Sequence, residues 1–491
     1  MRLRYLRSLP LLLLVTTVAQ AQVPATRSLS LEEALRSGQA ASERTGIARA
    51  GVQRARGQLK QARSEFFPQL TGSASYTRTL ASQFSRAVEE DTSSAPAPEC
   101  RSFTADPTLP ITERLDSLES ALECASLQNP FAAFKDLPFG RANQYNLGLQ
   151  ASQTLYAGGR VAGQAEAAQA GLRTAQIALE SAEAQTALDI TQAYYDAVLA
   201  DRLLTIADST LRQAERTYEN TRLGYDVGNV AEFDLLRARV ARDNARPAVI
   251  SARSQRDVAY LRLKQLLEIP LSDALALETP LGDSTDSLPP PPLGTLAADT
   301  GVEARASVRQ AMEAVNAAEG TAKSVRGGAL PQVKLTSSYA RLGYPDDVFP
   351  SWSDFVDDWT VSLGVTLPLF TGGRISGEKQ VASANVDEAK LRLKQARELA
   401  ALDNQSADAT LAAAEAAWAA SAGVVSQAQR AYEIAELRYQ EGLSTQTELG
   451  DARVQLQQAL ANRARSARDL QVARVRNALL GDLPLALSAE R

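Results

Sequence analysis

Residues that could carry catalytic chemistry are few in this chain of 491 residues. The sequence contains no histidine, which excludes Ser-His-Asp triads, histidine-ligated metals and imidazole proton shuttles. A pair of carboxylates could still act as acid and base. However, the acidic side chains are spread along alanine-rich segments beside Arg and Lys, as on solvated helix faces. We therefore expect no enzyme activity, no cofactor and no metal site.

The first 21 residues have the three-part layout of a secretory signal peptide. Three arginines within the first seven residues precede an apolar run from Leu9 to Ala19, and Ala19-Gln20-Ala21 forms a small-residue cleavage site. We therefore expect residues 1–21 to be removed on export. Loss of the three arginines leaves 49 basic and 57 acidic residues, a net charge of −8, so we expect no nucleic-acid partner.

The two cysteines, Cys100 and Cys124, lie far from the cleavage site, which argues against a lipid anchor. No run of about 18 apolar residues occurs, so no membrane-spanning helix is expected and any span must use strands. Because export takes both thiols to an oxidising compartment, we predict a disulfide between them. Two free thiols, or a metal pair without a histidine to complete it, are the alternatives.

The chain contains an internal repeat. Tyr156-Ala-Gly-Gly-Arg160 recurs as Phe370-Thr-Gly-Gly-Arg374, and the offset of 214 residues holds to the end of each half. Upstream, Pro68-Gln-Leu70 matches Pro331-Gln-Val333 at an offset of 263, which leaves 49 extra residues in the first half. We predict a tandem duplication. Its parts are repeat 1 at 22–279, a proline-rich linker at 280–295, repeat 2 at 296–484 and a C-terminal tail at 485–491.

Each repeat begins with a helix followed by strands with alternating faces. Ser30 and Glu33 have the spacing of a capping box at the start of a helix from Leu31 to Phe67. Alternating residues then predict strands from Leu70 to Thr77 and from Tyr145 to Leu155, with counterparts in the second repeat. A length of about ten residues and terminal aromatic residues are typical of membrane strands. A soluble hairpin is the alternative.

Long helices follow the strands. An alanine-rich segment from about Arg160 to Leu223 predicts a helix about 95 Å long. After a glycine-containing turn, a second helical segment runs from about Ala231 to Leu267. We predict an antiparallel coiled-coil hairpin in each repeat, which by itself would also suit a structural spacer.

Four strands per chain are too few to close a membrane barrel. The smallest usual single-chain barrels have about eight strands, and an open sheet edge cannot face lipid. Three chains would supply twelve strands and twelve helix segments, whereas two would give an eight-stranded barrel that side chains fill. The duplicated long helices favour the wider assembly, a fold of mixed α and membrane β structure in which a trimeric twelve-stranded barrel is continued by a coiled-coil barrel, although the sequence alone does not determine the number of chains.

The motifs together resemble those of the TolC-like outer-membrane factor family from Leu29 to Pro484. The matching motifs are Leu29-Ser-Leu-Glu-Glu-Ala-Leu35, Phe67-Pro-Gln-Leu70, the two Gly-Gly-Arg strand exits, and the turns Arg222-Leu-Gly-Tyr-Asp-Val-Gly228 and Arg438-Tyr-Gln-Glu-Gly442. The resemblance implies a homotrimer in outer-membrane lipid with a long periplasmic helical tunnel. Its implied partners are a periplasmic adaptor protein and an inner-membrane pump. The implied function is the exit duct of a tripartite efflux or type I secretion system. A structural coiled-coil periplasmic spacer or adhesin is the alternative.

The extra residues of the first repeat form an insert from 81 to 142 that contains both cysteines. The insert joins the strand ends opposite the helices, so we expect it to lie outside the cell. The corresponding connection in the second repeat, from Tyr344 to Asp358, is much shorter.

The resemblance also implies a periplasmic entrance at the hairpin turns, 223–235 and 437–449. Glu448 and Asp451 match the carboxylates that ring the constriction in relatives. Six acids around one axis would favour cations. Stabilisation of a helix N-terminus is the other interpretation of this pair.

A latch at this entrance is a further implication of the resemblance. Asp234 and Tyr439 fall where relatives form links that hold the entrance shut, beside the turn glycines Gly228 and Gly442. A hydrogen bond between the two side chains is the resulting hypothesis. The arginine expected two residues after Gly442 is Ser444 here, which removes one such link.

Overall fold

A computed structural model describes residues 27–81, 103, 106–127, 141–282, 299–345 and 347–485. The predicted signal peptide, most of the linker at 280–295, the tail beyond Leu485 and Cys100 lie outside these residues.

Helices dominate the described residues. They are α1 (Leu31–Ala41), α2 (Glu43–Ser64), α3 (Ile111–Leu127), α4 (Arg160–Asp226), α5 (Glu232–Leu266), α6 (Ala306–Gly327), α7 (Arg374–Gln440) and α8 (Gln446–Ala478). The strands are β1 (Arg27–Leu29), β2 (Gln69–Arg78), β3 (Asn143–Tyr156), β4 (Leu275–Leu277), β5 (Gln332–Gly343) and β6 (Phe355–Thr366). Among the described helices, none is both long and apolar enough to cross a membrane.

The long hairpins have equivalent bounds in the two repeats. Adding the offset of 214 residues to the ends of α4 and to the start of α5 gives the ends of α7 and the start of α8. The strand exits agree as well, since Gly158 and Gly159 have φ of 59° and 89°, and Gly372 and Gly373 have 59° and 86°. Glycine adopts such angles without a steric penalty. The agreement supports the predicted duplication.

The chain divides into two compact units. The helical unit comprises Met1–Arg56, Gln169–Ala317 and Asp387–Arg491, and the sheet unit comprises Gly57–Ala168 and Ala318–Val386. The sheet unit therefore holds both Gly-Gly-Arg strand exits, and the helical unit holds both hairpin turns.

A four-stranded antiparallel sheet in the order β2-β3-β5-β6 forms the sheet unit's strand layer. Each repeat supplies one hairpin, and β3 pairs with β5 to join them. The hairpin registers are equivalent, because Gln69 pairs with Ser152 in the first, and their counterparts Gln332 and Thr366 pair in the second. β2 and β6 are the outer strands.

The outer strand β6 exposes an apolar face. Trp359, Val361, Leu363 and Val365 alternate along it with polar or small residues, and these four side chains are 63% to 72% exposed. The period of two places all four on one face. An exposed apolar face on a strand of this length is typical of contact with lipid.

The core of the helical unit surrounds Tyr194 on α4. Its hydroxyl donates a hydrogen bond to the Leu29 carbonyl and accepts one from the Thr279 amide, both at 2.9 Å. Burial raises the pKa of Tyr194. The segment that follows the first hairpin pairs with the N-terminal segment through the parallel strands β1 and β4. Tyr194 therefore fixes both ends of the first repeat to α4.

The predicted helix from Leu31 to Phe67 is interrupted, which corrects that expectation. The backbone leaves helical geometry at Ser42, with φ −55° and ψ 120°. Helix α1 packs closely on α4, since a Cβ on Gly38 would lie 2.4 Å from Ile190 Cδ1. This packing accompanies the break between α1 and α2. One half of the predicted capping box is present, because Ser30 Oγ accepts from the Glu33 amide at 3.2 Å, whereas the Glu33 side chain accepts from Arg27 at 3.4 Å.

Candidate functional site at the hairpin turns

The two hairpin turns were predicted at 223–235 and 437–449, and the chain reverses inside both ranges. Five residues separate α4 from α5, and five separate α7 from α8. Gly228 and Gly442 have φ of 81° and 71°, left-handed values that glycine adopts without strain. These glycines therefore reverse the chain at equivalent positions in the two repeats.

Glu448 and Asp451 lie in the first two turns of α8. Thr445 caps this helix, because its hydroxyl oxygen accepts a hydrogen bond from the Glu448 amide at 3.3 Å. Residues three apart share a helix face, and both acidic side chains are exposed. Neither carboxylate forms an ion pair with the residues that the structure describes. The two acids are thus close together beside the turn and open to solvent.

Tyr439 bonds to Thr221 within the chain, and the expected hydrogen bond to Asp234 is not formed there. The Tyr439 hydroxyl lies 2.9 Å from Thr221 Oγ1, and Thr221 itself donates to the Thr217 carbonyl at 2.7 Å. Tyr439 is therefore the donor. Thr221 is only 2% exposed, so this bond is shielded from water and joins the last turns of α4 and α7. This bond could not be predicted from the sequence, because Thr221 belongs to no motif.

Gln446 joins the starts of α5 and α8. Its amide nitrogen donates to the Asp234 carbonyl at 2.9 Å, and its amide oxygen accepts from the Ala238 backbone nitrogen at 2.8 Å. The side chain is almost fully buried, so losing these partners would leave costly unsatisfied groups. Asp234 thus takes part in the contact between the turns through its backbone. The only sequence signal for this role is a glutamine directly after a capping threonine.

Ser444 stands where the resemblance leads one to expect an arginine. Its Oγ is buried and has no hydrogen-bond partner in the described parts of the chain. A short neutral side chain cannot reach across a turn as a guanidinium can. Within the described chain, hydrogen bonds of Tyr439 to Thr221 and of Gln446 to α5 join the elements beside the turns.

A cavity of about 470 Å³ lies beside the turns, bounded by α4, α5 and α8. Phe233 and Leu236 supply apolar walls, and Asp451 and Arg453 supply opposite charges. Burial lowers the pKa of Arg453, but a guanidinium remains charged at neutral pH. The lining therefore combines charged and apolar surface.

A small apolar cluster supports α8 behind the acids. Tyr432 from α7 packs with Leu449 and Leu456 from α8. The Tyr432 hydroxyl donates to Glu436 at 3.2 Å, and burial raises its pKa to about 12. Leu449, which lies between Glu448 and Asp451 in the sequence, is buried in this cluster. Its packing therefore fixes the rotation of α8 and the face on which the two acids lie.

Of the predicted disulfide, one cysteine is described. Cys124 lies on α3 and is disulfide-bonded. Cys100 lies outside the described residues, so the pairing of these two stays a prediction.

The chain shares its fold with solved outer-membrane channels. The chain is similar to the Campylobacter jejuni CmeC outer membrane channel, at 18% identity and a TM-score of 0.68, over 93% of this chain and 86% of that one. It is also similar to the outer membrane protein VceC of Vibrio cholerae, at 18% identity and a TM-score of 0.67, over 91% and 95% of the two chains.

Residues 39–268 and 301–481 match the outer membrane efflux protein family, and the chain belongs to it. A curated relative is outer membrane efflux protein BepC of Brucella suis, which is 26% identical over 287 residues, or 58% of this chain. The match spans 60% of the length of BepC.

Proposed function

We propose that this protein is the outer-membrane exit duct of a tripartite efflux or type I secretion system. It passively conducts substrate from an inner-membrane pump, through the periplasm, to the exterior. The observation that carries the proposal is the combination, in one chain, of a sheet with an exposed apolar face and two long helical hairpins. Its membership of the outer membrane efflux protein family supports the same function and location.

The duct is a homotrimer in this proposal. In the described part of the chain, no strand pairs with the outer edges of β2 and β6. Unpaired backbone groups cannot face lipid, so these edges need partners. Two further copies would supply them and bring the number of strands to twelve, within the usual range of membrane barrels.

A glycine seam gives a second reason for further copies. Within the chain, α4 crosses α6 so closely that a Cβ on Gly163 would lie 2.4 Å from the Gly320 carbonyl oxygen. The repeat offsets map Gly163 to Gly377 on α7 and Gly320 to Gly57 on α2. Both of these glycines are exposed, and a Cβ on either would meet no described atom within 4 Å. We infer that α7 of one protomer packs on α2 of the next.

Glu448 and Asp451 form the periplasmic entrance in this proposal. Their exposure, and the absence of ion-pair partners for them among the described residues, suit a ring of six carboxylates around a three-fold axis. Such a ring attracts cations and repels anions. A periplasmic adaptor and an inner-membrane pump are the partners that deliver substrate to this end. The similarity to an efflux protein and to an outer-membrane channel supports that assignment.

Single-channel recording of the purified trimer in a planar bilayer tests the function. We expect a small, cation-preferring conductance that loses its preference, or grows, when Glu448→Ala and Asp451→Ala are combined. A control with Glu388→Ala and Glu398→Ala removes two exposed acids of α7 away from the turns and should leave the preference unchanged. Folded protein without channels would favour the spacer or adhesin instead.

A further inference from the structure

Helix α3 of the insert carries an apolar stripe with nothing in the described residues to cover it. Ile111, Leu115, Leu118 and Leu122 are 42% to 73% exposed. Their spacing of four, three and four residues keeps them within a narrow sector of the helix. Four exposed large apolar side chains on one face of a 17-residue helix indicate a surface made for a partner.

The spacing of the stripe is that of a coiled coil. Ile111 and Leu118 take heptad position d, and Leu115 and Leu122 take position a. Ile at position a with Leu at position d favours a coiled coil of two helices. Here leucine is at a and isoleucine at the first d, a pattern that favours three or four helices. Residues on the opposite face are polar, including Glu113, Asp116 and Ser120 on the outer b and f positions.

Charges beside the stripe specify a second copy of the same helix in parallel. Arg114 occupies position g and Glu119 the following position e, five residues later. In a parallel coiled coil, a g residue meets the e residue five positions later on its neighbour. Neither Arg114 nor Glu119 has an ion-pair partner within the described ranges. Both are therefore available for a pair between copies.

A lipid surface is a poorer occupant of this face. Membrane-bound amphipathic helices carry Lys and Arg on their polar side, whereas α3 carries four acids and one arginine. The disulfide-bonded Cys124 lies on the side of α3 away from the stripe. Its covalent attachment therefore leaves the apolar face free.

We propose that the α3 helices of three protomers form a parallel three-helix coiled coil that ties the inserts together at the outer end of the strands. The inference rests on the proposed trimer. A helix this short is marginal alone, but attachment to one trimer holds three copies at high effective concentration. Fifteen residues separate α3 from β3, and a chain of that length can reach up to about 50 Å.

Zero-length crosslinking of the full-length trimer in detergent tests this pairing. In the Arg114→Lys variant, a carbodiimide should join Lys at position 114 to Glu119 of a neighbouring copy. The two positions lie on opposite sides of the stripe within one helix, so they cannot join within a chain. A linked tryptic peptide that contains residues 115–135 twice can come only from two chains. Adding Glu119→Gln should abolish it.

Limited trypsin digestion gives an independent readout. The bond after Arg114 should be protected in the assembled protein. Leu118→Asp should raise its cleavage rate by roughly tenfold or more, because cleavage follows the open population and tenfold corresponds to about 1.4 kcal/mol. The control Ser117→Asp, on the outer face, should change the rate by less than about twofold.

The outcomes separate this inference from the proposed function. A trimer in native mass spectrometry, together with the linked peptide that contains residues 115–135 twice, supports the coiled coil. A trimer without that peptide overturns the coiled coil and leaves the exit duct intact, whether lipid or another part of the insert covers the stripe. Absence of a trimer overturns both.

Discussion

Two glycine pairs in the sheet unit occupy equivalent repeat positions, yet only one pair is in contact within the described chain. Where α4 crosses α6, Gly163 and Gly320 bring the backbones together, and a Cβ on Gly320 would lie 2.7 Å from the Ala167 nitrogen. At the equivalent positions, Gly377 and Gly57 are open. In the proposed trimer, the contact that Gly377 and Gly57 lack within the described chain is supplied by another copy.

The side chains beside the two glycine pairs also differ in charge. Lys323 of α6 pairs with Glu166 of α4, but the counterparts of these residues are Lys60 and Gln380. A contact between α7 and α2 of two copies therefore cannot repeat this ion pair. Close backbone approach is the feature that the repeats share, and an exposed ion pair contributes little to stability in any case. The glycines, rather than the charges, are therefore the feature on which the proposed seam between copies rests.

Alanine at Gly163 should have the largest effect. Its Cβ would press on the Gly320 carbonyl oxygen and, at 2.5 Å, on the Ser324 amide nitrogen, and backbone atoms cannot move aside as side chains do. We expect a loss of about 3 kcal/mol in unfolding free energy, measured by denaturant titration in detergent. Gly171→Ala is the control, because its Cβ would meet no described atom within 4 Å. Equal midpoints for the two variants would refute the seam within the chain.

Replacing Gly377 with alanine should change the stability of the trimer in opposite directions, depending on whether the site is open or packed. If the site stays open, Ala stabilises the helix by up to about 1 kcal/mol. If it packs on Gly57 of the next protomer, each interface should lose about 2 kcal/mol. The denaturant concentration at which the trimer dissociates distinguishes the two signs. Gly46→Ala on α2, where a Cβ is also unopposed among the described atoms, should leave dissociation unchanged, and a stabilised Gly377→Ala trimer would rule out the seam between copies.

The smallest effect is expected at the hairpin turns, where the repeats again differ. Tyr439 donates to the buried Thr221, whereas its counterpart Tyr225 is 40% exposed. Tyr439→Phe should therefore weaken the contact between the turns by about 1 kcal/mol and raise the leak conductance of the channel. Tyr225→Phe should do neither. Equal leak in the two variants would show that the Tyr439 bond has no part in closure.

Regular elements could be predicted from the sequence because their signals are local. The alternation in β2 and β3, the paired glycines at the strand exits and the alanine-rich hairpin segments each determine structure within a few residues. Helix α4 extends three residues past the predicted Leu223, a normal uncertainty for a helix end. The repeat offset added long-range information, since it aligned β2 with β5 and β3 with β6.

Contacts that depend on tertiary packing could not be predicted in this way. The break at Ser42 accompanies the close approach of α1 to Ile190, which no local pattern reveals. Thr221 and Gln446 are ordinary helix residues whose partners lie far along the chain. The hydrogen bond of Tyr439 to the buried Thr221 is of the same kind, and the latch between Tyr439 and Asp234 stays a prediction.

The repeat also defines how β2 and β6 of neighbouring copies should align. In the chain, Ala151 of β3 pairs with Ser337 of β5. Applying the two offsets places Val365 of β6 opposite Ala74 of β2 in the next protomer. A slip of one residue would turn every side chain to the other face. The proposed trimer therefore predicts one specific register between β6 and β2 of neighbouring copies.

Disulfide trapping of this pair tests the closed barrel most directly. With Ala74→Cys and Val365→Cys in one chain, oxidised protein should run as covalent dimers and trimers on a denaturing gel and return to monomers with reductant, because opposite residues of an antiparallel pair lie within disulfide reach. A control with Ser75→Cys and Val365→Cys points the two thiols to opposite faces and should stay monomeric. Monomers from both variants, in protein that folds and inserts normally, would contradict closure of the barrel by neighbouring copies.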